Sequence, residues 1–320
     1  MKILLTGATG FFGKSLFRFW KDTKSIDIIN SKIIILSRNP KRFYDFIKPF
    51  MDIFDIDLIE GDVEVFSSLK MDDYTHVLHA ATDSTLGSNL SSLARYNQIF
   101  NGTKNILDLS VKCGVSKILL TSSGAIYGDI SQFNQGVKEQ YFGSINSLSS
   151  KNSYALAKRS AEHLCALYYD KFGLRYSIAR CFAFIGEDLP MNVHFAIGNF
   201  IGDAINGRDI IIHGNGQQIR TYLHQSELAK WLTAILLENK ETSVYNVGSN
   251  EKTTIENLAN LITKYFESKK LKVIIQNKEI NTFRDYYVPN VDLIKQELGL
   301  RVEINLEEAI KRVIDSKTKN

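Results

Sequence analysis

The strongest constraint on the fold is a glycine-rich turn that follows the first apolar run. Residues 2–5 lead directly into the sequence Thr6-Gly7-Ala8-Thr9-Gly10-Phe11-Phe12-Gly13. Apolar periodicity over residues 12–20 then predicts a helix, so the glycines stand between a strand and a helix. Glycine lets backbone N–H groups approach a ligand closely, and a helix N-terminus favours negative charge. The turn therefore indicates a site for the pyrophosphate of a dinucleotide.

The first 180 residues alternate short β-branched runs with longer helical patterns. Helices are predicted at residues 12–20, 91–112 and 153–172. Strands are predicted at residues 2–5, 32–36, 56–59, 76–79, 117–120 and 175–179. This alternation is typical of βαβ units and predicts an α/β fold with a parallel sheet.

Beyond residue 180 the alternation loosens, and no repeat or Pro/Gly-rich linker separates the two regions. Further helices are predicted at residues 194–206, 226–237, 254–266, 291–298 and 306–313. The second region is therefore expected to pack as a smaller domain.

Composition excludes several classes of function. Lys and Arg number 39 against 35 Asp and Glu, for a net charge of +4, which favours neither nucleic acid nor an anionic membrane as partner. No apolar run approaches the length of a membrane span, and the N-terminus lacks the pattern of a signal peptide. Cys113, Cys165 and Cys181 show no metal-ligand spacing, and neither do the histidines, so no metal site is predicted. We expect a cytoplasmic protein.

The end of the second predicted strand bears on the choice of cofactor. NAD is usually held there by a carboxylate, but this strand ends in Ser37-Arg38-Asn39. Arg38 could pair with the 2′-phosphate of NADP, or it could be a solvated loop residue that leaves NAD equally suitable. NADP is slightly favoured, and NAD remains open.

Three Tyr-x-x-x-Lys pairs occur, namely Tyr44/Lys48, Tyr154/Lys158 and Tyr265/Lys269. This spacing places a phenol and an ammonium one turn apart on one helix face, where a cation can ease proton transfer by the phenol. Only Tyr154/Lys158 lies on the helix that follows a strand ending in hydroxyl residues, Thr121-Ser122-Ser123. The carboxyl edge of a parallel sheet is where such folds place their chemistry, so we select Tyr154, Lys158 and Ser123.

The ordered motifs resemble those of the extended short-chain dehydrogenase/reductases, in the NAD-dependent epimerase/dehydratase family that acts on nucleotide sugars. The resemblance covers nearly the whole chain. It is carried by the glycine turn, Gly61-Asp62-Val63, His79-Ala80-Ala81, Thr121-Ser122-Ser123, Ile126-Tyr127-Gly128, Tyr154-x-x-x-Lys158, Gly214-Asn215-Gly216-Gln217-Gln218-Ile219-Arg220 and Tyr245-Asn246-Val247-Gly248.

The resemblance implies a role for each matched residue. Cofactor contacts would come from Gly7, Gly10, Phe11 and Phe12 at the pyrophosphate, Asp62 and Val63 at the adenine, and Ala80 and Ala81 along the dinucleotide. Tyr154 would be the acid/base, Ser123 would hydrogen-bond the reacting hydroxyl or ketone, and Lys158 would hold the nicotinamide ribose. Arg220 and Arg284 resemble the arginines that clamp the diphosphate of the sugar nucleotide.

Two departures from the family pattern narrow the expected reaction. Relatives that catalyse 4,6-dehydration carry an acid pair just after the catalytic hydroxyl residue, and decarboxylating relatives need a carboxylate at the second of these positions. Here the positions hold Gly124 and Ala125, which cannot move protons. Dehydration and decarboxylation are therefore disfavoured.

The resemblance implies a doubly wound Rossmann fold with a smaller, mostly C-terminal substrate-binding domain. Residues 1–180, joined by about 220–250, would bind the dinucleotide, and residues 181–320 would mainly bind substrate. The expected activity is reversible hydride transfer, most favourably at C4 of a nucleoside-diphosphate sugar, by an epimerase, dehydrogenase or ketoreductase. A homodimer is expected through the helices near residues 91–112 and 153–172. The alternative is a non-catalytic dinucleotide sensor or scaffold, which the presence of Ser123, Tyr154 and Lys158 disfavours.

Overall fold

The computed structural model describes residues 1–82, 90–193, 195–277 and 285–318. The chain divides into two compact units. The first unit comprises Met1–Gly128, Ile145–Cys181 and Ala229–Tyr245, and the second comprises Asp129–Ser144, Phe182–Leu228 and Asn246–Asn320. Among the helices of the described residues, none combines the length and the apolar character needed to cross a bilayer.

The elements of the described residues are numbered in chain order. The strands are β1 (Lys2–Thr6), β2 (Lys32–Ser37), β3 (Asp55–Glu60), β4 (His76–His79), β5 (Lys117–Ser123), β6 (Arg175–Cys181), β7 (Phe184–Ile185), β8 (Ile210–Ile212), β9 (Ile219–Arg220), β10 (Leu223–His224), β11 (Thr242–Val247), β12 (Thr253–Thr254), β13 (Val273–Ile275) and β14 (Tyr286–Tyr287). The helices are α1 (Phe11–Thr23), α2 (Ile26–Ile29), α3 (Lys41–Met51), α4 (Ser92–Lys112), α5 (Ser153–Phe172), α6 (Ala196–Ile205), α7 (Gln225–Leu237), α8 (Ile255–Lys264), α9 (Asp292–Leu298) and α10 (Leu306–Thr318).

The first unit is built on a seven-stranded sheet in the order β11-β6-β5-β4-β1-β2-β3. Within this order, each pair of neighbouring strands in the run β6-β5-β4-β1-β2-β3 is parallel. The strand order reverses between β1 and β4, which is the topological switch point where a Rossmann fold opens a crevice for a ligand. The predicted α/β class, the parallel sheet and the six predicted strands are confirmed.

Both faces of this sheet are covered, which explains why its strands read as continuous apolar runs. On one face, α4 and α5 pack over Leu4, Ile34 and Ile118 in a single buried cluster. A second group of buried aromatic residues joins α1, α3 and α7, and within it the Trp20 indole N–H donates to Thr233 Oγ1 at 2.9 Å. These two layers hold the carboxyl ends of the strands at one edge.

Helix α3 and strand β11 of the first unit were not predicted, and neither was the short helix α2. Helix α3 buries Phe43, Ile47 and Phe50, whose spacing is helical, although Pro49 lies inside it. Strand β11 adds a seventh strand beside β6, where Tyr176 N–H donates to the carbonyl of Glu241 at 3.0 Å. It is only six residues long and its apolar side chains do not alternate, so it gives a weak signal in a region where the βα alternation has stopped.

The second unit contains short strand pairs and helices. Strand β8 pairs in parallel with β13, while β9 lies between antiparallel β12 and parallel β14. Helices α6 and α8 contact each other, and α10 contacts α6, β7 and β10. His194, the first residue of the helix predicted over residues 194–206, lies outside the described residues; α6 begins at Ala196.

Candidate active site

The glycine turn between β1 and α1 can be built only with glycine at two positions. Gly7 has φ +76°, and a Cβ there would lie 2.4 Å from the carbonyl oxygen of Ala80. A Cβ on Gly13 would lie 2.1 Å from the carbonyl oxygen of Ala8. The turn therefore lies directly against the end of β4, and α1 begins close to the sheet.

The outer side of the same turn is open. Gly10 precedes α1, and the nearest atom to a Cβ at that position is the Gly7 carbonyl oxygen at 3.4 Å. Phe11 and Phe12 open the helix, and its first turn contains no acidic residue. A helix N-terminus with this composition attracts an anion to its exposed N–H groups.

The residues predicted near the adenosine follow two neighbouring strands. Ser37 ends β2, and its carbonyl accepts the Gly61 N–H at 3.0 Å. Arg38 is exposed beyond it. Past β3, the Asp62 carboxylate accepts the Glu64 N–H at 3.0 Å, and the Val63 carbonyl accepts from the Asn105 side-chain amide at 2.9 Å.

Ala80 and Ala81 continue from β4 and are tied to the end of β1. Ala80 N–H donates to the Thr6 carbonyl at 3.2 Å, and Ala81 N–H contacts Thr6 Oγ1 at 3.3 Å. Thr6 Oγ1 also lies 2.8 Å from Nδ1 of His79, which is fully buried. Burial lowers the pKa of His79 to about 3, so this histidine is neutral and structural.

Ser123, Tyr154 and Lys158 are brought together as predicted from their motifs. Ser123 ends β5, and Tyr154 and Lys158 lie one turn apart on α5. The Ser123 hydroxyl hydrogen-bonds the Tyr154 phenol. Burial nevertheless raises the pKa of Tyr154, against the opposing effects of Ser123 and the positive charge of Arg95. The low phenol pKa that proton exchange at neutral pH requires thus needs further positive charge close by.

Lys158 is held by contacts that the sequence did not indicate. Its ammonium donates to the Thr121 carbonyl and to Thr82 Oγ1, each at 2.8 Å. The side chain is buried, and this burial lowers its pKa to about 8. Thr121 belongs to the predicted hydroxyl edge but acts through its backbone, and Thr82 has no motif of its own.

The two predicted arginines of the substrate site differ in what can be said of them. Arg220 lies on β9 in the second unit, where its guanidinium pairs with the Asp285 carboxylate and lies 5.9 Å from the centre of the Tyr287 ring. Arg284 lies outside the described residues.

Gly124 and Ala125 begin a 3₁₀ turn directly after Ser123.

Comparison with known proteins decides the family. The family model described as the NAD dependent epimerase/dehydratase family matches residues 3–248. The chain belongs to this family. The predicted resemblance is therefore confirmed, and the NAD-dependent epimerase/dehydratase family is a family of enzymes.

Curated relatives of this epimerase/dehydratase chain carry different activities. UDP-glucuronic acid decarboxylase 1 of Danio rerio is 27% identical over 314 residues, which cover 98% of this chain and 72% of that protein. A putative UDP-glucose 4-epimerase of Methanocaldococcus jannaschii is 28% identical over 318 residues, which cover 98% of this chain and 97% of that protein. These relatives share a family with this chain, but their names give two different reactions.

Solved structures share the fold of this family member. A UDP-glucose 4-epimerase from Thermotoga maritima, crystallised with UDP-glucose, has a TM-score of 0.85 at 19% identity, covering 100% of this chain and 99% of that one. A dTDP-glucose 4,6-dehydratase from Streptomyces venezuelae, crystallised with NAD, has a TM-score of 0.86 at 19% identity, covering 100% and 98%. At these identities the likeness concerns the fold alone.

The residues at the sheet edge fit the dinucleotide of an NAD-dependent epimerase/dehydratase. The open outer side of the glycine turn leaves room for a pyrophosphate beside the first turn of α1. The buried ammonium of Lys158 lies at the ends of β4 and β5, on the other side of the switch point from β2 and β3. A dinucleotide laid across the carboxyl edge would span these two positions.

The other Tyr-x-x-x-Lys pairs belong to other elements. Tyr44 and Lys48 are exposed on α3, and Tyr265 and Lys269 follow α8 in the second unit. The Tyr265 hydroxyl donates to the Glu307 carbonyl at 3.1 Å. Tyr265 therefore offers a matched control for substitutions at Tyr154.

Proposed function

We propose that this chain catalyses reversible, NAD(P)-linked hydride transfer at C4 of a nucleoside-diphosphate sugar. The observation that carries the proposal is the meeting of Ser123, Tyr154 and Lys158 at the carboxyl edge that also holds the glycine turn. An acid/base, a hydroxyl partner and a buried cation are the groups needed to exchange the proton of an alcohol.

The chain's own residues divide the proton chemistry between them. The Tyr154 phenolate removes the proton from the sugar hydroxyl, and in the reverse direction the phenol returns a proton to the ketone oxygen, while Ser123 holds the same oxygen by a hydrogen bond. Lys158 binds the nicotinamide ribose and adds positive charge beside Tyr154, which favours the phenolate. The bound nicotinamide supplies the hydride acceptor or donor and, when oxidised, a further positive charge.

For the cofactor, we keep a slight preference for NADP within an NAD-dependent family. Support comes from Ser37 at the end of β2, where a carboxylate would repel a phosphate, and from the exposed Arg38 beside it. Titration with NADH and NADPH tests this preference. Equal or tighter NADH binding, or NAD released from the denatured protein, would overturn it.

The proposed substrate class is supported by the relatives. UDP-glucuronic acid decarboxylases, a putative UDP-glucose 4-epimerase and a structure with UDP-glucose all concern nucleotide sugars. Arg220 is proposed to bind the diphosphate, as is Arg284. Because Asp285 pairs with Arg220, an incoming diphosphate would replace one carboxylate by a more highly charged partner.

Gly124 and Ala125 support the choice of hydride transfer over the family's other reactions. Neither can protonate or deprotonate a substrate, so elimination across C5–C6 lacks an acid and a base in this turn. Decarboxylation is the second candidate, because UDP-glucuronic acid decarboxylases are among the relatives, such as the Danio rerio protein at 27% identity. Ala125 stands against it, since decarboxylating relatives place a carboxylate there.

The test is a product analysis with two probes. The purified protein is incubated with NAD or NADP and either UDP-glucose or UDP-glucuronate, and products are separated by ion-pair chromatography and mass spectrometry. We expect a C4 epimer or a 4-keto sugar that retains all its carbons. Loss of CO₂ from UDP-glucuronate would establish decarboxylation instead, and a 4-keto-6-deoxy product would establish dehydration.

Tyr154→Phe separates an enzyme from a sensor of the same fold. Loss of the general acid/base is expected to reduce turnover by about 10²–10⁴-fold while NADH binding persists. Tyr265→Phe is the matched control and is expected to keep full turnover. An unchanged rate in Tyr154→Phe would remove Tyr154 from the reaction and favour the non-catalytic alternative.

We also propose a homodimer through α4 and α5. These helices leave Leu93, Leu167 and Phe172 between 48% and 70% exposed, which is high for large apolar side chains. Light scattering coupled to gel filtration measures the mass in solution, and a monomer at micromolar concentration would overturn the proposal.

A further inference from the structure

A buried ion pair lies directly beyond the catalytic lysine on α5. Glu162 is about one tenth exposed, and its carboxylate accepts Arg180 Nη2 at 2.9 Å and Arg180 Nε at 3.2 Å. Ser122 Oγ donates to the same carboxylate. Arg180 in turn donates Nη1 to the Tyr127 hydroxyl at 2.9 Å. Separating Glu162 from Arg180 would leave a buried charge without its partner, and this cost keeps the two side chains in contact.

The pair connects each element that carries a catalytic group. Tyr154, Lys158 and Glu162 follow one another at intervals of four residues on one face of α5. On β5, Ser122 lies between Thr121, whose carbonyl accepts from Lys158, and the catalytic Ser123. Ser122 is also the register partner of Arg180 on β6. The Glu162 carboxylate therefore ties α5 to both strands within one turn of Lys158.

The titratable groups facing Lys158 come from three elements. His79 on β4 is neutral, since burial lowers its pKa to about 3. Cys181 on β6 is a neutral thiol, since burial raises its pKa to about 12. Burial also raises the pKa of Tyr154 on α5. The carboxylate of Glu162 acts on Lys158 in the opposite direction to burial, and Arg180 balances that carboxylate.

We propose that Glu162 is a positioning residue for Lys158. The Glu162 carboxylate fixes this turn of α5 on β5 and β6, and it offsets the cost of keeping the lysine ammonium charged in a buried site. The role rests on the proposed contact between Lys158 and the cofactor ribose. It goes beyond that contact because it assigns the ionisation of Lys158 to the balance between Glu162 and Arg180.

Two substitutions change that balance in opposite directions. Glu162→Gln keeps the shape and a hydrogen-bond acceptor but leaves Arg180 as an unpaired cation, which disfavours the charged lysine. Arg180→Gln leaves Glu162 as an unpaired anion, which favours the charged lysine. A purely structural role predicts loss of stability in both variants without opposite electrostatic effects.

The experiment measures the pH dependence of NADH binding, which requires no sugar substrate. NADH fluorescence titrations between pH 6.5 and 9.5 are expected to show affinity falling as Lys158 loses its proton, near the pKa of about 8 that its burial produces. Glu162→Gln is expected to move this fall to lower pH by about one unit, and Arg180→Gln to move it to higher pH. Lys158→Met is expected to remove the fall.

A matched control is available at the opposite edge of the same sheet. The Glu238 side chain is 5% exposed and contacts the buried Lys117, so Glu238→Gln removes a comparable carboxylate far from the site. Glu238→Gln is expected to lower the unfolding temperature without moving the pH dependence. Shifts of the same sign in Glu162→Gln and Arg180→Gln, or no shift in either, would overturn the role of Glu162.

The failure of this inference can be told from failure of the proposed function. If Lys158→Met removes the fall in affinity and Glu162→Gln does not move it, Lys158 binds the cofactor but Glu162 does not set its charge. If Lys158→Met leaves the fall in place, the titrating group is not Lys158 and both assignments are wrong. The UDP-sugar product analysis decides the reaction independently of either result.

Discussion

Gly7 meets two demands at once, a backbone conformation and a close contact. Its φ of +76° is unfavourable for any residue with a Cβ, and that Cβ would lie 2.4 Å from the Ala80 carbonyl oxygen. Gly173 shares the positive φ, at +69°, but nothing lies within 4 Å of a Cβ there. Comparing substitutions at Gly7 and Gly173 therefore separates the free-energy cost of the backbone conformation from the cost of the steric contact.

We expect Gly7→Ala to lower the free energy of unfolding by about 2–4 kcal/mol, from backbone strain and overpacking together. Gly173→Ala should cost only about 1 kcal/mol, the conformational part. Urea unfolding measures both changes, and NADH titration should show loss of binding in Gly7→Ala alone. Equal costs in the two variants would mean that the glycine turn moves away from β4 without penalty.

At the scale of elements, a second buried charge pair joins the amino end of β5 to the end of α7. Lys117 and Glu238 have side chains 1% and 5% exposed, and the Lys117 ammonium donates to the Glu238 carbonyl at 2.7 Å. Ser177 Oγ and the Tyr245 hydroxyl donate to the Glu238 carboxylate, each at 3.0 Å. The contacts fix the last turn of α7 against β6 and β11.

Lys117→Met is expected to destabilise the fold by about 3 kcal/mol, because it leaves the Glu238 carboxylate buried without its cation. The double variant Lys117→Met/Glu238→Gln should cost less than the sum of the two single variants. A double-mutant cycle in urea measures the difference, and NADH affinity should be unchanged throughout. Additive costs would show that the two charges do not stabilise each other.

At the scale of the whole molecule, the sequence predicted which residues lie together wherever they follow the ends of parallel strands. The glycine turn, Ala80 and Ser123 lie at one edge because a parallel sheet collects its carboxyl ends there. The chain order of motifs was therefore enough to bring them together. The positions of Arg220 and Arg284 relative to that edge stay a prediction.

Contacts between different elements could not be predicted in the same way. Glu162 and Arg180 are separated by 18 residues and meet only because α5 packs across β5 and β6. The Thr121 contact with Lys158 uses a backbone carbonyl, which no residue type signals. Such contacts depend on the side-chain packing of the folded protein, which periodicity and motif spacing do not specify.

Acid stability tests the packing of both units, because each contains a buried histidine. Burial lowers the pKa of His79 in the first unit to about 3 and that of His224 in the second to about 4. In the unfolded chain both titrate near pH 6.5. Between these values the unfolded state binds more protons than the folded state, so stability decreases as the pH falls below about 6.5.

Each histidine is expected to contribute up to about 1.4 kcal/mol of lost stability per pH unit between pH 6 and pH 4. Carboxylates such as Asp72, whose pKa is lowered to about 2 by Lys2, add to the loss only in more acidic solution. Urea unfolding at pH 7, 6 and 5 measures the slope. His79→Gln should reduce the slope without abolishing it, because burial also lowers the pKa of His224 and of His76. If His79→Gln does not change the slope, His79 binds a proton in the folded protein. Both of its ring nitrogens would then be donors, one to Thr6 and the other to Thr103.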